Sequence, residues 1–212
     1  MKKTNKTLLK YLIEFIIVAF GVFLGVFVSD WNAQRKTDEN TEKSITFIID
    51  EMGSNIDKIQ NSIEYQTKII TSVDSIVRTL DDSDKEIMYF SNKKFRFNDL
   101  PNWSGLGFSS LENISYKSAH INGVIGELNI NTTRLIARAY QNQELYTEFS
   151  KQLGNKLLEI NSNTKIVDVL VIFERLKYDI LSTEKWLLNE LNVSKEELEK
   201  IKYNNDYSVQ TG

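Results

Sequence analysis

The sequence predicts an all-α protein: one N-terminal transmembrane helix continuing into a long helix, followed by an extramembrane three- or four-helix bundle. Three observations lead there. Nineteen residues between Lys10 and Asp30 hold a single charge, Glu14. From Ile45 onward apolar residues recur at alternating spacings of four and three. The 212 residues contain one proline, Pro101, and only nine glycines, so little interrupts helical hydrogen bonding.

The apolar segment comes first. "KYLIEFIIVAFGVFLGVFVSDW" runs from Lys10 to Trp31. At about 1.5 Å per residue its uncharged core spans roughly 28 Å, close to the hydrocarbon thickness of a bilayer. Tyr11 and Trp31 bracket it where interfacial aromatic residues sit. A cleaved signal peptide is the main rival, given the basic Lys2, Lys3, Lys6 and Lys10 ahead of it. The pairs a peptidase would read near its end, Phe27 with Ser29 or Val26 with Val28, are poor. A buried core helix is disfavoured because the segment is apolar all round. Residues 1–10 are therefore read as a short basic cytoplasmic segment and 11–29 as the anchor. The lysine excess before the span favours the cytoplasm for the N-terminus and the periplasm of a bacterial inner membrane for the body. About ten residues on the cytoplasmic side leave no room for an output domain.

One face of the span differs from the others. Glu14, Val18, Gly21, Gly25, Ser29 and Asn32 follow one another at spacings of four and three, so they share a stripe. Small residues four apart let a second helix approach, and polar groups prefer protein to lipid. The stripe is a candidate face for another membrane protein or a second copy. The plainer reading is that Glu14 pairs with Lys10 and reaches the headgroups.

Residues 30–203 form the body. Ile45, Ile49, Met52, Ile56, Ile59, Ile63, Gln66, Ile70, Val73, Val77 and Leu80 make a 3.5-residue seam, with Gln66 its one polar member. Asp81 to Asp84 closes that helix. Residues 87–108 are the least helical stretch and hold Tyr89, Phe90, Phe95, Phe97, Trp103 and Phe108. This connector reads as an aromatic cap on the bundle, with an exposed docking loop through Phe95, Phe97 and Trp103 as the alternative. "SSLE", Ser109 to Glu112, reads as a capping box opening a short helix. Asn122 to Asn131 is a turn-rich break. A helix from about Thr132 to Ile160 presents Leu135, Ala139, Tyr146, Phe149, Leu153, Leu157 and Ile160. After the turn Asn161 to Thr164, a helix over 164–191 presents Ile166, Leu170, Phe173, Leu176, Ile180, Leu187 and Leu191. A second capping box, Ser194 to Glu197, predicts a separate last helix, and 204–212 a flexible tail.

Composition limits function. The part after residue 29 holds 22 basic and 28 acidic residues, a net of −6, which argues against nucleic acid as a partner. The absence of cysteine removes disulfides, thiolate metal sites and a thiol nucleophile. His120 stands alone, so a multi-histidine metal site cannot form, and no Gly-rich phosphate loop, H-E-x-x-H or G-x-S-x-G is present. The sequence therefore predicts a non-enzyme without cofactor or metal. It is expected to act as a membrane-anchored scaffold or accessory subunit, in an oligomer or complex, that docks on another membrane protein through its span and outer bundle. An extracytoplasmic ligand sensor signalling through a partner is the alternative.

The segment "KYLIEFIIVAFGVFLGVFVSDWNAQRK" resembles an uncharacterised family of bacterial single-pass membrane proteins. Glu14 early in the span, Gly21 near its middle, the pair Trp31–Asn32 and the following Arg35–Lys36 carry the likeness, over about residues 10–50. The resemblance implies an anchor and a bacterial source. It supplies no catalytic residues.

Overall fold

The computed structural model describes residues 3–204, with side chains from residue 9 onward; Met1, Lys2 and the predicted tail beyond Asn204 lie outside the described residues. The described residues are helical with connecting turns and form no strand. Helix α1 is Lys3–Val77, α2 is Ile114–Ile121, α3 is Ile130–Leu158, α4 is Ile166–Arg175 and α5 is Leu181–Tyr203. A π-turn, Leu176–Ile180, joins α4 to α5 without a break. The chain divides into two compact units, 1–43 and 44–212.

In the second unit the predicted seam is the core. Ile45, Met52 and Ile59 are completely or almost completely buried, and Ile49, Ile56, Ile70, Val73 and Leu80 nearly so. Gln66 is also fully buried. Cross-helix bonds fix the directions of the bundle. Glu51 meets Tyr140 and Asn55 meets Gln143, so α1 and α3 run parallel. Ser62 meets Glu184 and Asp74 meets Lys177, so α4–α5 runs antiparallel to α1. Parallel neighbours need a long crossover, and residues 78–129 supply it.

The crossover engages both ends of the predicted Ser109–Glu112 capping box in other bonds. Residues 109–113 are extended, and α2 begins only at Ile114. Ser109 Oγ donates to the Lys58 carbonyl (2.9 Å) and its N–H to the Tyr146 hydroxyl (3.1 Å). Glu112 pairs with Lys58, and both its backbone groups bond Asn55. Neither residue of the predicted box is left to cap. The first turn of α2 is capped from outside by Glu51, which accepts from Ser115 N–H (2.8 Å) and Tyr116 N–H (3.4 Å).

Two further expectations change. Ser194 opens no new helix: α5 runs through it to Tyr203, and Ser194 is buried between the fully buried Leu191 and Leu198. With neither proline nor glycine there, local capping preference cannot outweigh continuous apolar burial. On α3, Asn129 is the N-cap, accepting from Asn131 and Thr132 N–H, so the helix starts at Ile130. Its inward face is Thr132, Ile136, Ala139, Tyr140, Gln143, Tyr146, Ser150 and Leu153, whereas Phe149 is 41% exposed. A face that includes Gln143 and Ser150 is not visible to a count of apolar residues.

The aromatic connector packs on the bundle. Phe95 is 1% exposed and meets Tyr89 and Phe173 edge-on, with ring centroids 6.3 and 6.0 Å apart. Phe97 stacks on Tyr89 (5.5 Å), and Trp103 touches both Phe97 (5.2 Å) and Phe173 (5.8 Å). The Arg96 guanidinium lies over the Tyr89 and Phe90 rings. A ring that docks on a partner has to reach solvent, and Phe95 does not. Met88 and Lys165 form an isolated antiparallel bridge, with Tyr89 N–H on the Thr164 carbonyl (2.7 Å) and Ile166 N–H on the Ile87 carbonyl (3.0 Å). The connector thereby holds the start of α4.

Gly107 sits in this crossover against Tyr65 of α1. Its φ is +71°, and a Cβ there would fall 2.2 Å from Tyr65 Cδ1. That ring carbon is near the base of the side chain and cannot swing aside cheaply. Gly107→Ala is expected to cost about 2–4 kcal/mol through left-handed strain and overpacking. Chemical denaturation of the detergent-solubilised protein measures this, and an unchanged midpoint would show the ribbon to be loosely held.

Candidate functional site

The first candidate lies in the first unit, on α1. The helix contains an 18-residue window with mean hydropathy 2.5, none of it buried, and is long and apolar enough to cross a membrane. At 100° per residue, Glu14, Val18, Gly21, Gly25, Ser29 and Asn32 fall within a sector of about 80°. All six are exposed, so the structure places the predicted stripe together on one open face. A Cβ built on Gly21 or Gly25 meets nothing within 4 Å. Glu14 lies 3.8 Å from Lys10, a long i,i+4 pair with both side chains exposed. Tyr11 and Trp31 are 64% and 61% exposed, about 30 Å apart along the axis. Beyond Trp31 the surface changes character: Gln34 bonds Asp38 (2.9 Å) and Arg35 bonds Glu39 (3.3 Å), the pairing of a helix in water.

The second unit contains a polar arrangement that the apolar pattern does not reveal. Along α1, Tyr65, Ser62, Lys58, Asn55 and Glu51 occur at spacings of three and four, and each holds one step of an extended ribbon running antiparallel to the helix. The Tyr65 hydroxyl accepts from Ser104 N–H (2.7 Å) and donates to the Gly105 carbonyl (2.9 Å). Ser62 Oγ contacts the Gly107 carbonyl. The Lys58 carbonyl takes Ser109, Asn55 takes both backbone groups of Glu112 at 2.8 Å, and Glu51 takes the start of α2. Gln143 joins from α3, accepting from Asn55 Nδ2 (3.1 Å) and donating to the Glu112 carbonyl (3.1 Å).

At the centre is Glu184, fully buried on α5. Its Oε1 accepts from Ser62 Oγ (2.8 Å), Gln66 Nε2 (3.0 Å) and the Tyr146 hydroxyl (2.5 Å). Its Oε2 and the Gln66 Oε1 are buried without a hydrogen-bond partner. Burial pushes the Glu184 carboxyl above its ordinary value, although its three donors pull the other way. The protonated form would give Oε2 a hydrogen to donate, which the carboxylate lacks. Burial and the neighbouring carboxylate also push the Tyr146 phenol up, so it stays a donor at neutral pH. Tyr140 is raised likewise by burial and by its bond to Glu51 (2.6 Å).

Glu184 had one signal in the sequence: it occupies the seam position between Ile180 and Leu187, where an apolar residue belongs. Asn55 and Ser62 each stand one residue before a seam isoleucine, Ile56 and Ile63, so the apolar pattern does not mark them. No spacing rule links these positions to a ribbon fifty residues away. No family model, curated protein or solved structure matches the chain.

The raised Glu184 carboxyl sets a direction for pH dependence. Between its unfolded value near 4.5 and its higher folded value, the folded state holds a proton the unfolded state has released. Stability from this group is therefore full below the unfolded value and falls as pH rises through that window. Glu184→Gln keeps an acceptor oxygen and cannot ionise, so its denaturation midpoint is expected to lack this fall. Midpoints of both proteins from about pH 4 to about pH 8 give the comparison. Parallel curves would mean that Glu184 is ionised in the fold.

Proposed function

We propose that the protein is a non-catalytic, membrane-anchored helical scaffold or accessory subunit that docks on another membrane helix through its span. One observation carries the reading: the apolar part of α1 is exposed on every side while its single charge and both glycines share one stripe. Lipid covers apolar faces, and it covers a carboxylate poorly. A partner helix packed along Gly21 and Gly25 would approach closely enough to shelter Glu14. That partner is a different membrane protein or a second copy of this chain. In this reading the N-terminus is cytoplasmic and the bundle lies in the periplasm of a bacterial inner membrane. The lysine distribution and the resemblance over residues 10–50 support that placement.

A second reading, an extracytoplasmic ligand sensor that signals through a partner, is favoured by a cleft of about 520 Å³ beside α3 and α4.

The test is extraction of the tagged protein from native membranes in mild detergent, beside a Glu14→Leu, Gly21→Leu, Gly25→Leu variant. A defined membrane partner, or a second copy, is expected to co-purify with the native chain and to be lost with the variant. All three positions are open, so the variant should fold normally. Recovery of the native protein as a lone monomer would overturn docking through the stripe.

A further inference from the structure

The cleft lies between the last turns of α3, the turn after it, and α4 with the π-turn. Its apolar surface comes from Phe149, Leu153, Ile160, Val171, Ile172 and Ile180, of which Leu153, Ile172 and Ile180 belong to the buried core. Charged residues line its edge, and most are already satisfied. Lys156 is paired with Glu159 at 2.7 Å. Asp168 accepts from the Lys165 N–H at 2.9 Å, which closes the first turn of α4.

Two charged side chains have no partner within the described part of the protein. Among the described residues, neither the Arg175 guanidinium nor the Asp179 carboxylate has a hydrogen-bond or ion-pair partner, although both line the cleft. They are four residues apart, where a regular helix commonly pairs opposite charges. The π-turn begins between them, and its Leu181 N–H reaches back to the Leu176 carbonyl, five residues away. That wider turn changes the side-chain register on which the i,i+4 pair depends. The cleft therefore offers one open cation and one open anion beside an apolar floor.

We infer that this cleft binds a short zwitterion with apolar substituents, an apolar dipeptide with free ends. The carboxylate would take the planar Arg175 fork, and the ammonium would take Asp179. The α-helical rise of about 6 Å for four residues is an upper bound on their axial separation, because the π-turn is wider and rises less per residue. Two extended residues span up to about 7 Å, so both termini reach their partners. The two side chains then lie on the Phe149, Leu153 and Ile172 surface. A purely anionic amphipath would leave Asp179 unpaired beside it, and a purely cationic one would leave Arg175. The inference deepens the sensor reading by naming a ligand class. Its test reads binding alone, so its outcome is separate from whether the span docks on a partner.

Isothermal titration of the full-length protein in detergent with leucyl-leucine is the experiment. Saturable binding of one dipeptide per chain is expected, weakened at least about tenfold by Arg175→Gln and by Asp179→Asn, and unaffected by Lys93→Gln. Arg175 is exposed and Asp179 half-buried, so circular dichroism and thermal midpoints should be unchanged in both variants. N-acetyl-leucyl-leucinamide, hexanoate and hexylamine should each bind at least about tenfold more weakly than the dipeptide. No binding of leucyl-leucine, or equal binding of the uncharged analogue, would overturn the inference. Equal binding of hexanoate or hexylamine would replace the zwitterion with a simple amphipath and overturn it as well.

Discussion

The second unit depends on one constraint: a long non-helical crossover has to lie against α1 without leaving its backbone polar groups buried and unpaired. An unpaired buried N–H or C=O costs on the order of a hydrogen bond each. Helix α1 meets that requirement with side chains one turn apart. Tyr65, Ser62, Asn55 and Glu51 reach out to the ribbon, and the Lys58 carbonyl receives Ser109. The crossover in turn carries the aromatic cluster of Tyr89, Phe95, Phe97 and Trp103 onto Phe173, and so holds the start of α4. Parallel packing of α1 and α3 is affordable only because the connection between them is fixed in this way.

The same polar row reaches the bundle axis. Ser62 and Gln66 face both the ribbon and Glu184, and Tyr146 links Glu184 to the Ser109 N–H. Buried networks of this kind specify register because a slip of one turn would leave several polar groups unpaired at once. Gln66 therefore does what a polar seam residue is expected to do, with Glu184 on α5 as its partner. The unpartnered Glu184 Oε2 shows that the network is satisfied on one side only.

The first unit is an exposed helix long and apolar enough to cross a membrane. Its stripe is legible residue by residue in the sequence because helical periodicity alone places Glu14, Gly21 and Gly25 together. The cleft beside α4 was not legible. Arg175 and Asp179 look like an ordinary i,i+4 pair on a solvated face, yet neither has a partner among the described residues, and a π-turn begins between them. Phe95 shows the reverse case: an aromatic residue in a basic, loop-like segment reads as a docking candidate, and tertiary packing buries it.

By itself the sequence determined the helical class, a helix long and apolar enough to cross a membrane, the seam from Ile45 to Leu80 and the turn at Asn161, because each follows from local periodicity, composition or turn chemistry. Tertiary structure decided what Ser109, Glu112, Ser194 and Glu184 do. A serine three residues before a glutamate has the same local preference whether it caps a helix or binds a distant backbone carbonyl. Which of these it does depends on the partner that folding brings within about 3 Å, and that partner lies far away in the chain.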